Sequence, residues 1–375
     1  MKRIAVFCDG TWNSPDRLDW THVANLYNAV DQQVDVQIAH YFPGVGTKTA
    51  NAGFFGGLLN RVGGGAFGWG LDRNIKQAYA YVCKVYEPGD EILIFGFSRG
   101  AYTARSLAGM IRKCGLLEDY GGHALNAAFK LYKSAGEGNR PDSPAVMAKR
   151  KQNSPRFATS EAERIQRNDG SAVVRISYIG VWDTVGSLGI PSVLLGRIAS
   201  FWNKKYEFHD TDLSSMVTSA RHALALDERR AFFQPSPWNN LDATESGPGL
   251  NKGDTSGDRP FQQLWFVGDH GIVGGTGDSA SLSAITLQWI AEGAQKAGLT
   301  LRADAEIPAV DPNPVDDVPV LRDPSPIYGI SPDLLVWRNG PDKPADTSPT
   351  VKQRLDAMIG YRPQSLKRLF PDFFD

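Results

Sequence analysis

The chain has 375 residues, enough for one large domain or two ordinary ones, with 42% hydrophobic and 22% charged residues. Its 40 Lys+Arg balance 41 Asp+Glu for a net charge of -1, which lacks the basic surplus a nucleic-acid-binding surface needs. No apolar run reaches the length of a membrane span, no cleavable signal is expected from Met1–Asp9, and the scattered Cys8, Cys83 and Cys114 exclude a disulfide scaffold or a cysteine-built zinc site.

Strand and helix signals alternate through the first third. Arg3 to Cys8 reads as a short buried strand that ends at the turn Asp9-Gly10-Thr11. Val23, Leu26, Tyr27 and Val30 follow at helical spacing behind Thr21, a suitable N-cap. Val36 to Phe42 is a second strand, and Leu71, Ile75, Ala78, Tyr79, Val82 and Tyr86 form the stripe of a further helix. After Pro88-Gly89-Asp90, Glu91 to Phe95 is a third strand, followed by a helix with Ala104, Leu107, Ala108 and Ile111 on one face. Val173 to Trp182 and Leu264 to Val267 are later strands, the second followed by a helix carrying Leu282, Ile285, Trp289 and Ile290. Met216 to Arg230, which contains His222, reads as a helix. This alternation predicts a single α/β domain, 1–375, with a mostly parallel sheet and helices on both faces. Three polar stretches, 134–170, 235–260 and 303–350, read as surface insertions, each too poor in apolar residues for a core of its own.

The sharpest motif is Gly96-Phe97-Ser98-Arg99-Gly100, placed where a buried strand gives way to an amphipathic helix. That strand–turn–helix setting is what a nucleophile elbow requires. A serine hydroxyl is a poor nucleophile near neutral pH, so it needs a base beside it and a carboxylate to orient that base. In α/β-hydrolases the order along the chain is Ser, acid, His. Asp183 ends the Val173–Trp182 strand, and His270 lies just past the Leu264–Val267 strand. Of the other two histidines after Asp183, His222 falls in the expected helix and His209 in the polar turn His209-Asp210-Thr211-Asp212. Ser98, Asp183 and His270 are therefore the candidate catalytic residues.

The chain resembles the catalytic domain of the type VI secretion lipase effectors, a branch of the α/β-hydrolase superfamily. The resemblance rests on Cys8-Asp9-Gly10-Thr11-Trp12-Asn13, Pro43-Gly44-Val45-Gly46-Thr47, Gly89-Asp90-Glu91, and Gly96 to Ala101. It continues through Gly180-Val181-Trp182-Asp183-Thr184-Val185-Gly186, Ala223 to Arg230 and Val273-Gly274-Gly275. It spans residue 3 to about 295 and implies a serine esterase, with phospholipase activity in the best-known members. One departure stands out. The family pattern around the histidine is Val-His-Ser-Asp-Val-Gly-Gly, whereas His270 is flanked by Asp269, Gly271 and Ile272, without the acidic residue two places on. The longer effectors carry additional membrane-associated modules, for which this chain is too short.

The expected chemistry is hydrolysis of a lipid or small ester through an acyl-enzyme, with neither metal nor cofactor. The backbone N–H of Arg99 is one expected oxyanion donor. Gly10 and Thr11, in the turn after the first strand, are the candidates for the other, and Asp9 is read as a brace for that turn. Residues 53–70 contain eight glycines among apolar side chains, so Phe54, Phe55 and Trp69 are candidate lining for an acyl chain. A glycine-rich packing loop is the competing reading. Gly63-x-Gly65-x-x-Gly68 lacks a leading strand and is not read as a dinucleotide fingerprint. Asp9-Gly10-Thr11 also resembles the opening of haloacid-dehalogenase-like phosphatases, but Phe7 occupies the nucleophile's place. A general carboxylesterase or thioesterase, and a non-catalytic binding protein on the same fold, stay open. The resemblance implies a secretion-apparatus or immunity partner and export by a type VI route after cytoplasmic synthesis. Peripheral membrane contact follows from a lipid substrate.

Overall fold

The computed structural model describes residues 1–10, 20–44, 64–186, 212–244, 247–277, 279–314 and 335–374; for 64–69 and 232 it describes the backbone alone. Six parallel strands form the central sheet: β1 (Arg3–Cys8), β2 (Gln37–Phe42), β3 (Glu91–Phe97), β6 (Arg175–Trp182), β7 (Val217–Ala225) and β8 (Phe261–Phe266), in the order β2-β1-β3-β6-β7-β8. Two short strands, β4 (Phe157–Ala158) and β5 (Ala172–Val173), pair separately. The helices are α1 (His22–Ala29), α2 (Gly64–Val85), α3 (Arg99–Cys114), α4 (Gly122–Tyr132), α5 (Pro144–Asn153), α6 (Glu161–Arg167), α7 (His270–Gly274), α8 (Ala280–Lys296) and α9 (Pro349–Ala357).

The sheet is apolar on both faces, because each strand's alternate residues enter different core layers. Ile4, Val6, Cys8, Ile92 and Ile94 pack with Ile75, Ala78, Tyr79 and Val82 of α2 and with Ala104, Leu107 and Ile111 of α3. Ala5, Phe7, Leu93, Phe95 and Trp182 pack on the opposite face with Val23 and Leu26 of α1 and Leu282 and Ile290 of α8. Phe7 and Phe95 stack at 4.6 Å across the β1–β3 pair.

Strand order determines where a site can form. The chain leaves β1 towards β2 and then crosses back to place β3 on the other side of β1. A crevice opens at such a reversal, beyond the carboxyl ends of the two strands. Asp9 follows β1 and Ser98 follows β3, so both stand at that crevice.

Several local expectations are corrected. Met216 to Arg230 is not a helix: Val217–Ala225 is the strand β7, and His222 lies within it. Its Ala-, Leu- and Arg-rich composition favours helix, but β7 sits between β6 and β8 with both faces covered. A fully buried strand shows no polar alternation to distinguish it from a helix. The expected strand from Val173 divides, with Ala172–Val173 pairing to β4 and Arg175 opening β6. The glycines at 64–70 belong to α2 rather than to a loop.

The polar stretch 134–170 is held by charge. Glu163 accepts from Arg150 Nε at 2.8 Å and from Arg167 at 2.6 Å, all three groups being buried. Burial alone would raise the Glu163 carboxyl, but the two guanidiniums outweigh it and hold the group at about 2.

Candidate active site

Ser98 occupies a single-residue turn between β3 and α3, at φ 58°, ψ −121°. A non-glycine residue at positive φ is strained and persists only where its surroundings fix it. Here Ser98 N–H donates to Trp182 O at 3.0 Å. A Cβ on Gly96 would lie 2.5 Å from Gly100 O, and one on Gly100 would lie 2.1 Å from Cys8 O. Both glycines of the motif are therefore required by the close approach of α3 to β3 and β1.

Asp183, the first residue after β6, is fully buried and also at positive φ, 36°. Its N–H donates to Ala223 O at 2.7 Å, and its Oδ1 accepts from Ala225 N–H at 2.9 Å. The following residue is braced by His222, whose Nε2 accepts from Thr184 N–H at 3.2 Å. Burial lowers the His222 imidazole to about 3, so the ring is neutral near pH 7. Because Nε2 accepts, the proton resides on Nδ1, which donates to Gln263 Oε1 at 2.9 Å.

His270 follows β8, three strands from β3, a separation of about 14 Å across the sheet. The chain must therefore turn back along the strand ends to reach Ser98. Gly268 N–H donates to Asp227 Oδ2 at 2.7 Å and His270 N–H to Glu228 Oε2 at 3.2 Å, both acceptors lying just past β7. Asp269 caps the one-turn helix α7, accepting from Ile272 N–H at 2.9 Å. Gly274 rests on the Phe97 ring, where a Cβ would approach to 2.1 Å. The imidazole lies between Phe97 and Phe233, each at 4.7 Å between ring centroids.

The three expected residues come together. His270 Nε2 is 2.8 Å from Ser98 Oγ, and His270 Nδ1 is 2.5 Å from Asp183 Oδ2. The carboxylate can only accept, so Nδ1 carries the proton and Nε2 is left to accept from the serine hydroxyl.

Residues 2–293 match the family model for the type VI secretion phospholipase effector Tle1-like catalytic domain. The chain belongs to this family. Its match to the curated uncharacterized protein YEL023C of Saccharomyces cerevisiae is 31% identical over 245 residues, covering 62% of this chain and 32% of that protein. A crystal structure of an uncharacterized protein from Pseudomonas aeruginosa aligns at 16% identity and TM-score 0.45, over 83% of this chain and 49% of the other. The Tle1 effector bound to the VgrG spike of the type 6 secretion system aligns at 17% identity and TM-score 0.34, over 74% of this chain and 51% of the other. The chain thus spans about a third of the curated relative and about half of each solved neighbour. The mostly parallel sheet is the α/β fold expected from its sequence.

In this Tle1-like domain the altered histidine loop has its own supports. With no acidic residue two places after His270, Asp269 supplies the cap, and Asp227 and Glu228 hold the backbone on either side. The residue that sequence reasoning missed is Arg338, which lies beyond the family-matched residues and inside the stretch read as a surface insertion. It is 2% exposed, with Nη1 2.7 Å from Asp183 Oδ1 and Nη2 2.9 Å from Asp183 Oδ2. Burial alone would raise the Asp183 carboxyl, but Arg338 first and His270 second outweigh it and hold it well below the usual carboxylate range. A single arginine in a Pro- and Asp-rich stretch carries no periodic signal. The apolar run Leu334-Leu335-Val336-Trp337 just before it is the local signal that this segment returns to the core.

Asp9 accepts from Thr21 Oγ1 at 2.7 Å and from the Tyr41 hydroxyl, which ties the turn after β1 to α1 and β2. Gly10 N–H, an expected oxyanion donor, donates to Asp9 Oδ1 at 2.6 Å and is thus engaged by the carboxylate. Arg99, an expected oxyanion donor, opens α3 directly after Ser98. Thr11, Phe54, Phe55 and His209 lie outside the described residues, and Trp69 is described only as part of the α2 backbone. Among the described residues no group of three or more His, Cys, Asp or Glu side chains could hold a metal ion, and no helix is long and apolar enough to cross a membrane.

Proposed function

We propose that the protein is a serine hydrolase of carboxylic esters, acting on phospholipid acyl chains through Ser98, His270 and Asp183. The observation that carries this reading is the imidazole of His270, 2.8 Å from Ser98 Oγ on one side and 2.5 Å from the Asp183 carboxylate on the other. Ser98 Oγ attacks the ester carbonyl while His270 Nε2 takes its proton. The tetrahedral intermediate collapses, His270 returns the proton to the departing alcohol, and an acyl-Ser98 ester remains. Water then attacks the acyl-Ser98 carbonyl while the same imidazole takes its proton, and His270 returns that proton to Ser98 Oγ as the fatty acid leaves. Asp183 holds the ring in the tautomer that leaves Nε2 free and balances the imidazolium.

Arg99 N–H supplies one oxyanion donor. The second comes from the turn after β1, through Thr11 or through Gly10, whose N–H rests on Asp9 Oδ1. A missing donor costs about 10²–10³ in rate. The phospholipid preference, contact with a membrane surface, and dealings with a secretion apparatus or an immunity protein rest on family membership.

The test is fatty-acid release from phosphatidylcholine and phosphatidylglycerol vesicles, set beside short-chain soluble esters. Release by the native chain and none by Ser98→Ala supports the proposal. Hydrolysis of soluble esters alone would reduce it to a general esterase. No hydrolysis by folded protein in either arm would favour a binding role.

A further inference from the structure

The side chain that completes the surroundings of Asp183 comes from a part of the chain outside the family-matched residues. Leu335 bridges to Arg230 in antiparallel fashion, and Val336 N–H donates to Arg229 O at 2.7 Å. Trp337 packs under the Arg229 guanidinium at 4.9 Å. This short pairing delivers Arg338 to the carboxyl ends of β6 and β7. Its two terminal nitrogens each make two bonds: Nη1 to Asp183 Oδ1 and Ala225 O, both at 2.7 Å, and Nη2 to Asp183 Oδ2 at 2.9 Å and to Phe233 O. Phe233 is also one of the two rings that flank His270. Asp183 in turn accepts two bonds on each oxygen, from Ala225 N–H and Arg338 on Oδ1 and from His270 and Arg338 on Oδ2.

We propose that Arg338 is a positioning residue of the hydrolytic site, fixing the plane of the Asp183 carboxylate and setting the pH range over which His270 works as a base. This rests on the Ser98–His270–Asp183 reading above. A planar fork on both carboxylate oxygens removes the carboxylate's freedom to rotate. Its charge also offsets that of Asp183, so His270 faces a neutral pair and protonation of the ring gains less from its acidic neighbour. The other charged or titratable groups around His270 keep their partners when Arg338 is replaced, including Asp227, which burial raises to about 7 in native chain and variants alike. Glu228 is paired with Arg230, Asp269 caps α7, and Asp227 accepts from Gly268 N–H and the Tyr361 hydroxyl. His22, against Gly275, is lowered to about 3 by burial and is neutral. Arg338 is the group that most directly sets the charge of Asp183.

The experiment measures the rate at which a fluorophosphonate labels Ser98 between pH 4.5 and 9, in the native chain, Arg338→Gln and Arg338→Lys. The probe needs the base but no particular substrate. In Arg338→Gln the acid limb of the labelling rate is expected to move about one unit to higher pH, because the carboxylate charge is no longer offset. In Arg338→Lys the charge stays but the fork is gone, so the limb stays within a few tenths of a unit while the plateau rate falls about tenfold or more. An arginine that merely stabilises the fold would lower the melting temperature without moving the limb. A folded Arg338→Gln with the native limb, or an Arg338→Lys that labels like the native chain, overturns the proposal. If the native chain itself takes no label at Ser98, the underlying hydrolase reading fails instead.

Discussion

Asp183→Asn removes one charge and exchanges one acceptor for a donor at a fully buried position. The carboxylate receives four bonds, two on each oxygen. An amide oriented with its nitrogen in the Oδ1 place faces Ala225 N–H and an Arg338 N–H, donor against donor. Turned over, the nitrogen faces His270 and Arg338. In that second orientation the imidazole must accept at Nδ1 and carry its proton on Nε2, so it can no longer take the Ser98 proton. The first orientation loses two bonds and the second loses one, and in both Arg338 is left as a buried cation without its counter-ion, which costs about 3–5 kcal/mol of stability. Turnover is expected to fall by about 10³–10⁴ through the wrong tautomer. Urea denaturation at pH 7 reads the first effect, and ester hydrolysis under conditions where the variant stays folded reads the second. An asparagine variant as stable as the native chain, or one that keeps more than a tenth of its turnover, would refute the reasoning.

Asp183 also contributes a pH dependence of stability. Its carboxyl is lower in the folded chain than in the unfolded one, so the stabilisation is complete above the ordinary carboxylate range near pH 4 and is lost as pH falls below it; an acid titration of Asp183→Asn should lack that part of the loss. Asp227 has the opposite sign. Burial raises it to about 7, so its stabilisation is present below about pH 4 and fades as pH rises towards 7, and Asp227→Asn should gain stability relative to the native chain at pH 8 compared with pH 5 in paired denaturation curves. Asp269→Ala removes the α7 cap and should cost about 1 kcal/mol while lowering turnover, because α7 carries His270; unchanged turnover would separate the cap from the site. Gly274→Ala drives a methyl to within 2.1 Å of the Phe97 ring that flanks His270, and should reduce activity more than stability, read by kcat beside the melting temperature.

The parallel sheet was legible because its strands are short apolar runs closed by turn residues, and the helices between them have clear stripes. Ser98 was legible for a steric reason: only glycine fits at positions 96 and 100, so the motif records the packing of α3 on β3 and β1. Asp183 and His270 stood out as candidates because the first directly follows a strand and the second lies four residues past one, where a loop can aim a side chain at the crevice. β7 was misread because a strand covered on both faces loses the alternation that distinguishes it from a helix. His222 was consequently read as a helix-face residue, although it braces Thr184. Arg338 was illegible for a different reason. Its role depends on a contact across 155 residues, and the apolar run Leu334 to Trp337 within a Pro- and Asp-rich stretch does not say which part of the fold that run meets. The same limit applies to Glu163, whose two buried arginine partners replace the apolar core that residues 134–170 lack.

The central claim, that a distant imidazole and carboxylate make the Ser98 hydroxyl nucleophilic, is tested most directly by locating a fluorophosphonate adduct by peptide mass mapping in the native chain, Ser98→Ala and His270→Ala. A single adduct on the peptide containing Ser98, absent from the first variant and at least 10³-fold slower to form in the second, is the expected result. An adduct elsewhere, or one on Ser98 that forms as fast without the imidazole, would contradict the account.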